Sequence, residues 1–308
     1  MRKRILKVVD VSSYIHAGAV NKSAVIDGPI VQTDRGYTSR DIAAGGASLI
    51  FNLLYYSFNE DTDFLFCCDR RPTIKQEMFP DYKGSRHHAE NILKSKEVTE
   101  IILRDCGFTI LAEEGYEADD FIYSAVKKFH DQYDEIHIHT GDSDLYFLVD
   151  DKVSIQKSHS RTKIVTKMNY GKSFKKITDN MPYNMSSFYK VCFGDSSDDI
   201  PPISDKEAAR NLYRSALGYF PAYMGNKEYA RQFVDTFAPW ALPQFDLVYP
   251  LDTDVPDDIS KGNAEKIYTW GKVMKNKLFS NIDGKVAEET TQDIVAEMVA
   301  MGLYMERE

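Results

Sequence analysis

The stretch Glu135-Ile-His-Ile-His-Thr-Gly-Asp-Ser-Asp144 is a short β-prone run that ends at two aspartates. Similar apolar runs occupy residues 5–11, 63–68 and 108–112, and helical patterns over 40–58, 89–106 and 118–129 lie between them. Strands that alternate with helices are typical of a parallel sheet with covering helices. We therefore predict an α/β fold whose mainly parallel central sheet lies within residues 1–180.

The chain beyond this predicted sheet has a different pattern. Residues 153–156 and 163–167 predict a β-hairpin, and after about residue 180 helical patterns interrupted by prolines continue to the end. We predict a smaller helical region over residues 181–308. A capping box formed by Ser204 and Glu207 is expected to begin one of its helices.

Composition limits the classes of protein to which this chain can belong. Its 308 residues carry a net charge of −9, and no run of about 18 apolar residues predicts a membrane span. The four cysteines include no Cys-x-x-Cys pair, so we expect reduced thiols and a cytoplasmic location. The negative charge disfavours nucleic acid as a partner, but residues 152–176 carry eight lysines and arginines without one acidic residue. This basic segment is either a phosphate-facing surface or a solvated hairpin.

Carboxylates follow three predicted strands, open one predicted helix and occupy one later loop. They are Asp10, Asp69, Asp142 and Asp144 after strands, Glu117, Asp119 and Asp120 at the helix, and Asp195 and Asp198 in the loop. The carboxyl ends of parallel strands share one edge of a sheet, where functional crevices lie. Carboxylates brought together there would repel one another unless cations neutralised them.

Divalent metal ions are the simplest such cations. Oxygen ligands without accompanying cysteine or histidine favour Mg²⁺, with Mn²⁺ as a substitute, and we predict two ions. Two ions about 4 Å apart would activate a water molecule and stabilise the leaving oxygen of a phosphodiester. A lone strand-end aspartate is more often a turn former, so the prediction depends on all five groups occurring together. His137 and His139 share a strand face, but we expect them to pack beneath helices rather than bind metal.

Six motifs with acidic or basic residues occur in a fixed order along the chain. They are Val8-Val-Asp10, Cys67-Cys-Asp69, Pro80-Asp-Tyr-Lys-Gly-Ser-Arg86, Gly115-Tyr-Glu-Ala-Asp-Asp120, Thr140-Gly-Asp-Ser-Asp-Leu145 and Phe193-Gly-Asp-Ser-Ser-Asp-Asp-Ile200. In these motifs the chain resembles the flap endonuclease and 5′-3′ exonuclease superfamily, particularly phage 5′ nucleases of the ribonuclease H type. The resemblance covers residues 5–200, and motifs over 245–259 extend it to about residue 285. One departure follows Asp199, where Pro201-Pro-Ile-Ser-Asp-Lys-Glu207 replaces the superfamily's glycine-rich helix-hairpin-helix.

The resemblance implies a role for each acidic motif. The implied ligands of the first metal ion are Asp10, Asp69 and Asp119, with Glu117 and Asp120 close by or acting through water molecules. The implied ligands of the second ion are Asp142, Asp144 and Asp198, with Asp119 as a candidate bridge and Asp195 in support. The helical region over 181–308 would complete this metal site and contact duplex nucleic acid.

The resemblance also implies contacts with the substrate. Lys83 and Arg86 would stabilise charge on the scissile phosphate at the base of a short arch over residues 83–97. Tyr82 would either stack on an unpaired base or pack in the core. The remaining residues that we predict to bind nucleic acid are Arg70, Lys157, Arg161, Lys163 and Lys167.

A metal-dependent 5′ nuclease is therefore the predicted function. It would remove RNA primers or 5′ flaps in DNA replication by two-metal phosphodiester hydrolysis, with water as the nucleophile. The expected partners of this monomer are DNA with a 5′ flap or a junction of single and double strands, RNA–DNA hybrids, and a replicative polymerase or single-strand-binding protein. A structured-RNA endonuclease and a non-catalytic nucleic-acid-binding relative stay open as alternatives. A small-molecule phosphatase would leave the Tyr82-Lys83-Gly-Ser-Arg86 motif unexplained.

Overall fold

The computed structural model describes residues 3–20, 50–86 except 52, 55 and 56, 90–157, 164–166, 185–219 and 225–270. Its strands are β1 (Ile5–Asp10), β2 (Thr62–Cys67), β3 (Thr109–Leu111), β4 (Glu135–His139), β5 (Val153–Gln156) and β6 (Ile164–Val165). Its labelled helices are α1 (Val11–Val20), α2 (Thr73–Met78), α3 (Glu90–Asp105), α4 (Ala118–Phe129), α5 (Ser186–Phe193), α6 (Lys206–Tyr219), α7 (Lys227–Phe237) and α8 (Leu242–Val248). Short 3-10 helices occupy Asp144–Leu148 and Pro239–Ala241.

The six strands form one sheet in the order β3-β2-β1-β4-β5-β6. Every neighbouring pair is parallel except β5 and β6, which form an antiparallel pair. All six residues of β2 are buried, as expected for a parallel strand covered on both faces. The predictions of a mainly parallel sheet and of a hairpin near residues 153–167 are confirmed. Of the helix predicted over 40–58, only the part from residue 50 lies within the described residues.

Two hydrophobic cores lie on opposite faces of the sheet, because successive side chains of a strand point to opposite sides. Leu6 and Val8 face a core that contains the apolar side of α4 and the C-terminal helices. Val9 faces a second core, which includes side chains of α1 and α3 and the fully buried Trp270. His139 also packs on this second face, where the Tyr14 hydroxyl lies 3.1 Å from its Nδ1. The predicted packing role of His139 is confirmed.

The C-terminal part is helical where it is described, with α5 packed against both α6 and α8. The carboxylate of Asp205 accepts hydrogen bonds from the backbone N–H groups of Glu207 and Ala208 at 2.9 and 3.0 Å, and so caps α6. The prediction that Ser204 caps this helix is wrong by one residue, because aspartate is an equally good cap. The predicted boundary near residue 180 lies outside the described residues. No helix in the described part of the chain is long and apolar enough to span a membrane.

Candidate metal centre

The carboxyl ends of β1, β2 and β4 open into a cleft of about 1750 Å³. The register aligns Asp10 with Cys67 across β1 and β2, and Val9 with His139 across β1 and β4. The three strands therefore end at nearly the same level, where a parallel sheet places its functional crevice. The acidic residues that line the cleft are Asp10, Asp69, Glu97, Glu100, Glu117, Asp119 and Asp142.

Asp10 is a buried carboxylate at the end of β1. Its side chain accepts a hydrogen bond from the Ser13 backbone N–H at 2.9 Å and another from the Thr140 hydroxyl at 2.8 Å. Burial, followed by the charge of Asp69, raises the pKa of Asp10 to about 7. Two donors thus orient a carboxyl whose ionised form is disfavoured by its neighbours.

Asp119 lies in the first turn of α4, where the helix dipole favours negative charge. Burial and then the charges of Asp142 and Asp10 nevertheless raise the pKa of Asp119 well above its usual value. The Asp69 carboxylate accepts a hydrogen bond from the Ala118 backbone N–H at 2.8 Å. This bond ties the end of β2 to the start of α4 and brings both acidic groups to the cleft.

We refer to Asp10, Asp69, Asp119 and Asp142 as the first cluster. Within the residues that the structure describes, the one ion pair of this cluster is a 4.0 Å contact between Asp69 and the Lys96 ammonium. Negative charge without matching cations, presented by hard oxygen donors, is the environment that Mg²⁺ or Mn²⁺ neutralises. The first cluster therefore fits a divalent metal ion in both its charge and its ligand chemistry.

A second cluster consists of Asp144, Asp195 and Asp198, whose carboxylate oxygens lie within 4.8 Å of one another. Asp144 begins the 3-10 helix after β4, and the other two aspartates occupy the loop after α5. Gly194 makes this loop possible, since its φ is 77° and a Cβ there would lie 2.6 Å from the Pro202 nitrogen. The structure thus brings Asp144 and Asp198 together as expected, but the third member of this group is Asp195 rather than the predicted Asp142.

Lys190 of α5 lies between two carboxylates of the second cluster. Its ammonium forms an ion pair with Asp144 and another with Asp195, the latter at 2.6 Å. Burial and the charge of Asp142 raise the pKa of Asp144 to about 8 even though Lys190 opposes this shift. At Asp195 burial is outweighed by Lys190, and the pKa is lowered.

Two more cations reach the second cluster from the loop after α2. Arg86 forms an ion pair with Asp198, and the Lys83 ammonium lies 3.4 Å from the same carboxylate. Lys83 and Asp199 both have positive φ, 53° and 58°, and the Lys83 N–H donates to the Asp198 carbonyl at 3.0 Å. These two strained residues hold the loop that carries the predicted phosphate-binding cations against the loop that carries acidic residues.

Glu117 connects the Lys83 loop to the start of α4. Its carboxylate forms ion pairs with Lys83 and with the buried Lys75, the latter at 3.1 Å, and accepts from the Tyr82 hydroxyl at 2.7 Å. Burial alone would raise the pKa of Glu117, but the two lysines lower it below its usual value. Tyr82 is 1% exposed, so the prediction that it stacks on a base is wrong in this structure and the packing alternative is correct.

Asp120 does not face the cleft, although it follows Asp119 directly. It is fully buried, and its two oxygens accept hydrogen bonds from the N–H groups of Glu117 at 2.8 Å and Leu251 at 2.7 Å. A helical step of about 100° per residue turns adjacent side chains to different faces. The prediction that Asp120 lies near the metal is therefore wrong, and the residue ties α4 to the segment after α8.

Two of the predicted nucleic-acid contacts are engaged inside the protein. Arg70 lines the cleft, but its guanidinium makes a two-pronged pair with Glu100 of α3 at 2.6 and 2.8 Å. The Lys157 ammonium donates to the Gly141 carbonyl at 2.8 Å and lies 4.6 Å from the centre of the Tyr146 ring. The other predicted contacts, Arg161, Lys163 and Lys167, lie outside the described residues, as do residues 87–89 of the predicted arch.

Sequence reasoning missed two lysines that control the site. Lys75 is 3% exposed beneath Glu117, and Lys190 bridges Asp144 and Asp195. One signal was available, because Lys190 interrupts the apolar stretch Phe188-Tyr-Lys-Val-Cys-Phe193. A lysine in an apolar helical stretch needs a buried anionic partner, and five residues later the chain supplies Asp195.

Comparisons with known proteins agree with this geometry. The sequence profile described as 5′-3′ exonuclease, N-terminal resolvase-like domain, matches residues 8–176. A 5′-3′ exonuclease of Bacillus subtilis is 31% identical over 149 residues, which are 47% of this chain and 48% of that protein. A 5′-3′ exonuclease of Aquifex aeolicus is 27% identical over 183 residues, which are 57% of this chain and 58% of that protein. The chain thus spans about half the length of these curated relatives.

Solved structures with the same fold come from bacteriophage T5. The T5 D15 protein crystallised with metal ions has a TM-score of 0.52 and 17% identity, over 95% of this chain and 99% of that one. The T5 D15 flap endonuclease in a pseudo-enzyme-product complex with DNA and metal ions has a TM-score of 0.53 and 17% identity, over 95% and 98%. Since the profile matches more than half of the 308 residues, the chain belongs to the 5′-3′ exonuclease family through its N-terminal resolvase-like domain.

Proposed function

We propose that this chain is a metal-dependent 5′ nuclease that hydrolyses a phosphodiester near the 5′ end of a branched or primed duplex. One observation carries the proposal, namely that an uncompensated cluster of aspartates and the cations Lys83 and Arg86 line the same cleft. Phosphodiester hydrolysis needs both features, because a phosphate must be neutralised while water attacks it. The description of the family to which the chain belongs names a 5′-3′ exonuclease, which supports action from a 5′ end.

Asp10, Asp69, Asp119 and Asp142 would hold the first divalent ion, and Asp144, Asp195 and Asp198 would contribute to a second position. A bound Mg²⁺ or Mn²⁺ would lower the pKa of water and neutralise charge on the phosphate. The protein orients its own ligands in advance, as the bonds from Ser13 and Thr140 to Asp10 show. No side chain is required as a covalent nucleophile.

Lys83 and Arg86 would bind the non-bridging oxygens of the scissile phosphate. Burial alone would lower the pKa of Lys83, but Glu117 and Asp198 raise it, so the ammonium stays charged. The side chain of Arg86 is 38% exposed and that of Lys83 is 16% exposed, so both cations border the solvent of the cleft. An incoming phosphate would compete with Glu117 and Asp198 for these donors.

A stripe of basic residues on α6 supports the proposal that the substrate includes a duplex. Lys206, Arg210 and Arg214 recur every fourth residue and are all exposed. In the part of the chain that the structure describes, none of these three side chains forms an ion pair or a hydrogen bond. Successive side chains of the stripe lie about 6 Å apart along the helix. Like charges at this spacing destabilise a helix, so an external anion such as a phosphate backbone would relieve them.

The proposed substrates are DNA with a 5′ flap or a single-strand to double-strand junction, and RNA primers paired to DNA. The names of the relatives, 5′-3′ exonuclease and flap endonuclease, support the DNA substrates, and the RNA primer is proposed from the resemblance of the motifs to phage 5′ nucleases. A replicative polymerase or single-strand-binding protein as partner, action as a monomer, a cytoplasmic location and a division near residue 180 stay predictions from the sequence. None of them is needed for the chemistry in the cleft.

The test compares three substrates labelled at the 5′ end: a flap duplex, an RNA–DNA hybrid and a blunt duplex. Native protein, Asp142→Asn and the control Asp246→Asn are assayed with Mg²⁺ and with chelator. Asp246 is outside the cleft and pairs with Arg231, so its variant should cut normally. Mg²⁺-dependent cutting near the junction or 5′ end that Asp142→Asn abolishes would support the proposal. Binding without cutting of any substrate would instead favour a non-catalytic relative.

A further inference from the structure

Lys190 lies where a cation of the second cluster would be expected. Its ammonium contacts Asp144 and Asp195. One carboxylate oxygen from each of these residues and one from Asp198 lie within 4.8 Å of one another. We propose that Lys190 is an internal cation that occupies the second cluster in the metal-free protein and must leave it before a divalent ion binds there. This proposal rests on the proposed metal-dependent function and concerns how that function is controlled.

The contacts of Lys190 are those of a resident counter-ion rather than a surface lysine. The side chain is 19% exposed, and the side chains of Asp144 and Asp195 are 20% and 9% exposed. Two partly buried carboxylates that approach each other are stabilised by a positive charge between them, and an ammonium with three donors can bind both. Ion pairs with Arg86 and Lys83 satisfy the third carboxylate, Asp198.

A lysine ammonium and a divalent ion cannot use the same carboxylate oxygens at once. Both are cations, and at contact distance within a partly buried site they repel each other because water screens them less there than at the surface. Lysine has a flexible stem of four carbons, so its ammonium can withdraw while its backbone stays in α5. The side chain of Lys190 is 19% exposed, so part of it already borders solvent.

Competition between Lys190 and a metal ion would give the two clusters different metal affinities. A metal ion that enters the first cluster meets one ion pair among the described residues, the 4.0 Å contact of Asp69 with the Lys96 ammonium. A metal ion that enters the second cluster must first break the pairs of Lys190 with Asp144 and Asp195. We therefore expect one site of higher affinity and one of lower affinity, with Lys190 responsible for most of the difference.

The experiment titrates the full chain with Mn²⁺ in the absence of nucleic acid, with free Mn²⁺ counted by electron paramagnetic resonance. Native protein is compared with Lys190→Met, which keeps the length of the side chain and removes its charge. The matched control is Lys227→Met, since Lys227 is a similarly covered lysine that pairs with Asp252 outside the cleft. Asp119→Asn, which removes a ligand of the first cluster, assigns the two binding events.

Lys190→Met should tighten the weaker site at least tenfold and leave the stronger site unchanged, whereas Lys227→Met should change neither. The melting temperature should also rise more on Mn²⁺ addition in Lys190→Met than in native protein, because the variant lacks its own counter-ion. Equal or weaker second-site binding in folded Lys190→Met would overturn the proposal. If Lys190→Met does not fold, Lys190→Gln replaces it in the same titration. A native protein that binds Mn²⁺ but cuts no substrate would refute the proposed function and leave this inference intact.

Discussion

The two carboxylate clusters of the cleft solve the same electrostatic problem in different ways. In the first cluster the pKa of Asp10 is raised to about 7 by burial and by Asp69, and no arginine of the described residues pairs with it. In the second cluster Lys190 lowers the pKa of Asp195 against the effect of burial. At Asp142 of the first cluster burial is outweighed, chiefly by Lys190, and the pKa is lowered, whereas Asp10 and Asp119 keep raised pKa values that a cation from solution would relieve. Acidic residues alone do not reveal which of these two situations holds.

The largest expected difference is that between the variants Asp119→Asn and Asp120→Asn. Asp119→Asn should reduce kcat by at least about 10²-fold, because a metal ligand contributes several kcal/mol to charge stabilisation. Asp120→Asn should keep the metal affinity but lower the free energy of unfolding by about 1–3 kcal/mol, since it weakens buried hydrogen bonds to Glu117 and Leu251. Kinetics and urea unfolding of both variants check this contrast. Equal loss of metal affinity in the two variants would contradict the expectation that Asp119, but not Asp120, binds the metal ion.

Lys83 should matter for the rate more than for metal binding. Lys83→Met removes a cation that we expect on the scissile phosphate, and kcat should fall by about 10²–10³-fold. Glu117 keeps its pair with Lys75 in this variant, so the fold should persist. The measurement is single-turnover cleavage beside a Mn²⁺ titration. A variant that loses Mn²⁺ affinity in proportion to rate would place Lys83 in metal positioning instead.

The effect of pH on stability should differ between metal-free and metal-bound protein. The pKa values of Asp10 and Asp144 are raised to about 7 and about 8, above the usual carboxyl value near 4. Between pH 4 and 8 the unfolded chain has therefore released protons that the folded chain retains, so the metal-free protein loses stability as pH rises. Mg²⁺ binds the ionised carboxylates and should reverse this trend. Melting temperatures at pH 5 to 8 with Mg²⁺ and with chelator check it.

A smaller effect is expected outside both clusters, on α6. Replacing Lys206, Arg210 and Arg214 together by serine should lower the salt slope of duplex binding by up to about 2.7, at about 0.9 for each phosphate contact. Binding is measured in chelator, so neither cluster contributes metal. Arg104→Ser, a single exposed cation at the end of α3, is the control. An unchanged slope would show that the stripe is a solvated face.

The sequence predicted much of the fold because the relevant signals are local. Apolar runs matched strands within about one residue, and the helical pattern over 118–129 became α4 with those bounds. That Asp10, Asp69 and Asp142 lie in one cleft was also predictable, because parallel strands deliver their carboxyl ends to one edge, although Asp142 was expected with Asp144 and Asp198. The capping error at Ser204 arose from a local choice between two equally suitable cap residues, Ser204 and Asp205.

The errors in the site share a different cause. The sequence places Asp120 near the metal and leaves Tyr82 open between base stacking and core packing, whereas in the structure both side chains turn inward and make buried hydrogen bonds. Arg70 and Lys157 were read as free cations, whereas Glu100 and the Gly141 carbonyl engage them. Partners that lie 16 to 35 residues away in sequence, or farther, are not visible in a local pattern.

The sequence by itself determined that strands end in aspartates, that hard oxygen ligands predominate, and that cations accompany them in the Tyr82-Lys83-Gly-Ser-Arg86 motif. Only the tertiary structure decided which carboxylates lack a counter-ion and which are already neutralised, as Asp195 is by Lys190. The physical reason is distance. Residue type and spacing along the chain specify charge, but the interaction between charges depends on their separation and burial, and folding alone sets these.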